Sequence, residues 1–452
     1  MKIINIIGIF LISMIVLTAQ ENTKKNVSVT VYNSNLGVIK ETREMNITKG
    51  TSQIKIDDVA SFIDPTSVHF NFNGFVLEQN YQYDLVSLDK ILLKYIDKEI
   101  KLIDEKGNLI EGTLLSAAGS QIVLANKNSG LIMLPNVNNY RFAVESLPEG
   151  LITKPTLVWL VDSKISGKQD VDVSYQTSNM SWSTEYVAVL NENDTKLDLN
   201  SWVSIENNSG ATYQNANLKL VAGDVNLVTN QAGGRYNQPM YKEEAYTMVQ
   251  KDQFQEKEFF EYHIYKLERP STIANNETKQ ISLFEAKDVS VKKKFLFKSG
   301  GYGGNKKVQV IVEFENNENN NLGKPMPKGK FRVYKSDGES VEFIGEDMID
   351  HTAKKENVKL KIGEAFDIVV EETQIDNKKI TEKVYEQTWE VKIKNRKKDD
   401  INVDVEKYLG NFWEVTYNTV DYTKKNAATI NFSVPVKADS ETILKYKVKY
   451  NY

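Results

Sequence analysis

The feature that most constrains this chain is strict alternation of apolar and polar side chains, recurring from shortly after the N-terminus to the last residues. Val27-Ser28-Val29-Thr30-Val31-Tyr32, Gln53-Ile54-Lys55-Ile56-Asp57 and Val68-His69-Phe70-Asn71-Phe72 all alternate. So do Phe331-Arg332-Val333-Tyr334, Trp389-Glu390-Val391-Lys392-Ile393 and the closing run from Leu444 to Tyr452. A period of two places alternate residues on opposite faces of an extended chain, which is the signature of strands with one buried face. Turn residues such as Asn33-Ser34-Asn35 separate the runs. With 22 Tyr and 18 Phe the chain is rich in side chains that fit a pleated surface.

The 452 residues imply two to four domains at roughly 100–200 residues each. The fold expected is mainly β, multi-domain, with few helices. A small N-terminal β domain is expected over residues 25–85. An SH3-like small barrel is expected over 86–147, with a short helix from Leu88 to Ile96 followed by five closely spaced strands. A large β-sheet domain follows over 150–315. It contains a polar insertion at 230–262, whose 243–260 stretch is open between a helix and a mobile segment. Dense alternation over 320–452 predicts an immunoglobulin-like β-sandwich.

Charge and composition exclude several activities. The net charge is −4, with Lys and Glu interspersed, so there is no basic face for a phosphate backbone and no nucleic-acid partner is expected. The run Lys292-Lys293-Lys294 reads as a solvated strand end. The absence of cysteine removes thiol nucleophiles, thiolate metal sites and disulfides. The three histidines, His69, His263 and His351, lie far apart and in no metal-ligand spacing. Gly300-Gly301-Tyr302-Gly303-Gly304 is followed by a strand-like run rather than a helix, so it reads as a hairpin loop and not a phosphate cradle. Asp399-Asp400 and Glu371-Glu372 read as loop or strand-end charges, and Trp182, Trp202, Trp389 and Trp413 as core residues. No catalytic residue, metal site or cofactor is expected.

The compartment comes from residues 1–19. Lys2 precedes an apolar run from Ile3 to Leu17, and Leu17-Thr18-Ala19 supplies residues suited to cleavage before Gln20. That run is shorter than the roughly 20 residues that span a bilayer. The expectation is an exported chain, periplasmic or at the cell surface, and not an integral membrane protein after signal cleavage. The C-terminal alternation of Leu444, Tyr446, Val448 and Tyr450 with Lys445, Lys447 and Lys449 leaves one alternative open, an outer-membrane β-barrel strand.

Several segments taken together resemble a known family. They include Tyr175-Gln176-Thr177 with Trp182 and Tyr186, Leu199-Asn200-Ser201-Trp202-Val203 leading to Asn208-Ser209-Gly210, and Leu218 through Val225. Further along are Phe260-Glu261-Tyr262-His263-Ile264-Tyr265, Leu267 through Ile273, and Gly323-Lys324-Pro325-Met326-Pro327-Lys328-Gly329. This combination resembles the bacterial domain-of-unknown-function family that includes the mucoidy-inhibitor proteins, over roughly residues 150–452. Many relatives carry a long coiled coil after the N-terminal domain, where this chain has the barrel-like unit. The resemblance implies export, β architecture and an envelope setting. It implies no catalytic residues, and it marks Tyr262, His263 and Arg269 as a possible shared surface.

The expected function is therefore a non-enzymatic binding or structural role in the cell envelope, with envelope proteins or glycans as partners. An exported polysaccharide hydrolase and an outer-membrane β-barrel are the alternatives.

Overall fold

A computed structural model describes residues 22–136, 138–223, 225–226, 253–299 and 307–451. The apolar segment 1–19, the glycine cluster at 300–304 and most of the 230–262 insertion lie outside the described residues. The fold is built from strands, with one α-helix, Leu88–Lys94, and two short 3-10 helices among the described residues. The strands form five sheets, and none of them closes on itself among those residues.

Alternation sets which side chains face inward, but strand pairing crosses two of the expected boundaries. Strand Asn22–Tyr32 pairs antiparallel with Gly37–Ile47 through a tight hairpin, and parallel with Tyr213–Ala222. Gly37–Ile47 in turn pairs with Gly167–Thr177. These strands lie inside one eight-stranded sheet. Likewise, Thr156–Ser163 sits between Gly50–Ile56 and Gly74–Gln82 in a three-stranded sheet. The strands of residues 25–85 therefore do not form a unit of their own. Their inward residues Ile39, Met45, Ile54 and Ile56 share one core with Trp159, Tyr175, Leu218 and Phe331. Trp159 is wholly buried, stacks on Phe70 with ring centroids 4.4 Å apart, and donates its Nε1–H to Gln79 Oε1 at 2.9 Å.

The expected boundary between 315 and 320 is also crossed, in both directions. Gly329–Ser336 and Val341–Ile349 join Met180–Leu190, Lys196–Asn207 and Glu277–Ser290 in a central five-stranded sheet. Lys292–Ser299 and Lys307–Glu315 instead enter a nine-stranded sheet with the C-terminal strands. That sheet folds over itself: Leu444 and Tyr446 lie in one core with Val405, Ile430 and Phe432, and the Phe432 and Tyr446 rings are 5.0 Å apart. The expected two-layer C-terminal architecture is present, but both layers belong to one hydrogen-bonded path. Its last strand, Ser440–Asn451, is not an edge; it lies between Trp413–Asn418 and Val384–Asn395. Its outward Lys445 pairs with Glu390 at 3.0 Å.

Residues 88–143 form a small curled sheet in the order Arg141–Ala143, Glu99–Ile103, Leu109–Ala118, Gln121–Asn126, Gly130–Leu134. The helix forms where periodicity predicts it, and Ser87 caps it by accepting from the Lys90 N–H. Leu92 and Tyr95 turn inward onto Leu102, Leu114 and Leu124. The path is open, so this is a curled sheet and not a closed barrel. In the polar segment, Phe254–Phe259 and Tyr262–Leu267 form a β-hairpin at one edge of the eight-stranded sheet, which replaces both the helix and the mobile-segment reading there.

Two inward positions of Gly37–Ile47 carry charge. Glu41 and Arg43 are wholly buried among apolar neighbours. Arg43 Nε donates to Glu41 Oε2 at 2.8 Å and Nη1 to Asp58 Oδ1 at 2.6 Å. Lys24 Nζ lies 3.1 Å from Glu41 Oε1. Burial pushes the Asp58 carboxyl up, but Arg43 and Lys24 outweigh burial and hold it below the usual carboxylate range. A second ionic link joins the central sheet to the nine-stranded one. Asp194 accepts from Lys293 at 2.7 Å and from Lys335.

Two predictions follow from this ionic framework. Arg43→Met strands a buried carboxylate and should cost about 3–5 kcal/mol of stability. The double variant Glu41→Leu/Arg43→Met should recover most of it, and urea unfolding curves read the difference. A single variant as stable as wild type would refute the role given to Arg43. Burial also pushes the Asp194 carboxyl up, but Lys293 and Lys335 outweigh it and depress its pKa. A depressed folded pKa means stabilisation present above the unfolded value of about 3.9 and lost as pH falls through the folded one. Asp194→Asn should therefore lower the urea midpoint at about pH 7 and lose its effect progressively below about pH 4. An effect of equal size at both pH values would refute the assignment.

Candidate functional site

A groove runs across the outer face of the nine-stranded sheet and onto the turn that follows Lys307–Glu315. It follows from the same alternation that builds the core. Along Lys292–Ser299, Phe295 and Phe297 turn inward while Lys294 and Leu296 face out. Along Ile401–Tyr408, Val403 and Val405 turn inward while Asp404 and Glu406 face out. The groove consists of two depressions of about 560 Å³ and about 250 Å³ that share Lys294 and Glu313. The smaller depression is lined by six neighbouring strands, Asn357–Thr381 to Tyr422–Asn426 in spatial order, whereas the larger is lined by the ends of three of them together with Ser290 of the central sheet and Asn317, Asn319 and Asn320. Five inter-strand gaps at about 4.8 Å give the smaller depression a span near 24 Å.

The groove's charges are tied to one another. Glu313 accepts from Lys294 and lies 3.4 Å from Lys359 Nζ. Lys425 reaches Glu406 at 2.6 Å, and Asn431 Nδ2 donates to Asp404 Oδ1 at 3.3 Å. Burial pushes the Glu313 carboxyl up, but the two ammonium groups outweigh it and hold it below the usual range. That is the opposite of the raised pKa required of a general acid.

A second polar cluster lies inside the fold of the same sheet. Lys407, 4% exposed, donates to Glu372 Oε1 at 2.8 Å and places its Nζ 3.5 Å from the centre of the Trp389 ring. Ser299 Oγ donates to the same carboxylate oxygen, and Tyr446 Oη lies 3.5 Å from it. Burial pushes the Lys407 amine down, outweighing the pull of Glu372. A lysine of this kind can act as a nucleophile, but neither depression of the groove is lined by Lys407. Its place is a clamp between the two layers. Glu372 is thus no strand-end charge, as the sequence had suggested.

The surface marked by the resemblance is only partly assembled. Tyr262 and His263 are neighbours on strand Tyr262–Leu267 and so face opposite sides of it. His263 Nδ1 is 2.7 Å from Glu256 Oε1 across the hairpin. Tyr262 packs against Gly223, where a Cβ would stand 2.5 Å from the ring, so the close approach requires glycine. Arg269 lies beyond the end of the strand and binds the Gln253 side chain at 3.0 Å rather than an acid. The three do not converge on one point. His69 and His351 sit on other elements, and among the described residues no group of three or more His, Asp or Glu is placed to hold a metal ion. Trp159 and Trp182 are core residues; Trp202, Trp389 and Trp413 are half-buried.

Sequence reasoning missed the groove itself. Lys292-Lys293-Lys294 are exposed at the start of their strand, as expected, and Lys293 also binds Asp194 and Lys294 Glu313. The available signal was the outward set of each alternating strand; which strands lie side by side was not legible.

A family described as a domain of unknown function (DUF4139) matches residues 171–452. The chain belongs to that family. No curated protein matches the chain. The groove, the Lys407–Glu372 clamp and the Tyr262 hairpin all lie inside the family segment, whereas strands between residues 22 and 82 complete its sheets from outside.

If Lys407 is a clamp, Lys407→Met should cost about 2–3 kcal/mol by leaving the half-buried Glu372 without its cation. Lys407→Met/Glu372→Leu should restore most of that. Thermal unfolding of both variants checks this, and a single variant as stable as wild type would remove the clamp.

Proposed function

We propose that this family member is exported and serves in the cell envelope as a non-catalytic binding protein, with the outer groove of its nine-stranded sheet as the ligand surface. The observation that carries this reading is the state of the groove's acids. Glu313 and Glu406 are each neutralised by a lysine, and Asp404 is bound by Asn431. A glycoside hydrolase needs a pair of carboxyl groups with separated protonation states, one of them raised. Carboxylates locked to ammonium groups favour fixed recognition over proton transfer. The leader-like segment 1–19 motivates export, and the resemblance to mucoidy-inhibitor proteins motivates the envelope setting.

The barrel alternative is disfavoured by which faces are apolar. A membrane barrel turns its apolar side chains outward to lipid. Here Leu444, Tyr446 and Val448 of the C-terminal strand turn inward to a packed core, and the lysines face out. No helix among the described residues is long and apolar enough to cross a membrane.

Fractionation of the native host tests the reading. The protein should be released with the soluble periplasm or medium, or by a high-salt wash, as a chain beginning at Gln20. Retention in the outer membrane until detergent is added would overturn it.

A further inference from the structure

Resting on the binding role proposed above, we propose that the groove's ligand is a neutral oligosaccharide. Three properties of the groove point to it.

The first is charge. The lysines that line it are Lys292, Lys294, Lys359 and Lys425. The acids are Glu313, Glu315, Asp404 and Glu406. Four cations stand against four anions, so the groove exerts no net pull on a polyanion or a polycation.

The second is the position of the groove within the sheet. Its middle strands, Lys307–Glu315, Lys292–Ser299, Ile401–Tyr408 and Thr429–Val436, are paired on both sides, whereas at its two ends Asn357 and Lys359 sit where only Lys307–Glu315 pairs and Tyr422–Asn426 pairs only with Thr429–Val436. A ligand laid across the middle strands gains no strand ladder, since adding a strand requires a free edge. Recognition there has to come from side chains.

The third is the side-chain inventory. An ammonium bound to one carboxylate oxygen keeps further N–H donors, and a carboxylate keeps further lone pairs. Asn431 and Thr423 add an amide and a hydroxyl at one end, and Asn319 and Asn357 add amides at the other. Donors and acceptors thus stand side by side in the groove, and ion pairs fix Lys294, Lys359 and Lys425 against Glu313 and Glu406. Between them Leu296 and Ile311 are half-buried and give an apolar floor. Hydroxyl groups that both donate and accept, carried on rings with an apolar face and no charge, match that pattern. The smaller depression's span of about 24 Å, set by the strand spacing, suits an extended oligomer rather than a single sugar.

The test uses the full mature chain on an array of neutral hexose oligosaccharides and uronate oligosaccharides of matched length, with hits measured by calorimetry. Binding to a neutral oligosaccharide is expected, changing less than about twofold between about 0.05 M and about 0.5 M salt. Asp404→Ala should weaken it at least about tenfold, equivalent to about 1.4 kcal/mol. Asp404 faces out, so the variant should keep the wild-type thermal midpoint; should it not, Thr423→Ala at the exposed end supplies the same comparison. Preference for uronates with strong salt dependence would overturn the neutral class while leaving the binding role intact. Neutral binding unaffected by either groove variant would overturn the site. Failure of every oligosaccharide on the array, with the protein still soluble in the envelope fraction, would overturn the proposal without touching the localisation that fractionation tests.

Discussion

A charge buried on the inward face of a strand has to be neutralised where it stands, and this structure is arranged around two such charges. Glu41 occupies a position of strand Gly37–Ile47 that its neighbours Ile39 and Met45 fill with hydrocarbon. Arg43, two residues on, shares its face and binds it, and Asp58 and Lys24 complete the set. The ion pairs join strands Asn22–Tyr32 and Gly37–Ile47 to the loop at Asp58. The position of the N-terminal strands in the main core is therefore held by charge as well as by packing. Such pairs add little over a hydrocarbon core, but breaking one is costly. They penalise arrangements that separate the partners.

Lys407 and Glu372 repeat the device in the C-terminal sheet. Their strands are not neighbours, since Lys292–Ser299 and Lys307–Glu315 lie between them in the hydrogen-bonded order. The ion pair forms only because the sheet folds over. Ser299, Tyr446 and Trp389 converge on the pair from three further strands. On the other side of the same strands lies the groove. Inward Phe295 and Val403 belong to the folded core, and outward Leu296 and Asp404 line the groove. Core and groove are two faces of one alternating pattern, which ties the shape of the proposed site to the stability of the fold.

Much of this was legible residue by residue. The helix was visible from the periodicity of Leu88 to Ile96, and the strand that closes the chain from the alternation of Leu444, Tyr446 and Val448 with lysines. The charged pair Glu371-Glu372 shows where reading failed. Adjacent residues on a strand face opposite ways, so Glu372 turns in toward Lys407 while Glu371 pairs with Lys394 at the surface. Nothing local tells which turns in until the partner layer is in place. The hairpin Phe254–Phe259 and Tyr262–Leu267 was hidden for a related reason. Most of its first strand is exposed, so the alternation that marks a half-buried strand is missing there.

What the sequence determined by itself is the β character of the chain and, for most strands, which side chains point together. Both are fixed by the backbone, whose extended form turns successive residues to opposite faces whatever lies beside it. What only the tertiary structure decided is which strands are neighbours. Ser28 pairs with Asn217, and Thr184 pairs with Gly329, across stretches of chain that carry no record of the match. Those pairings depend on the free energy of the whole core, because a strand's outward and inward sets are compatible with many partners. The domain boundaries, the clamp at Lys407 and the groove all rest on that choice.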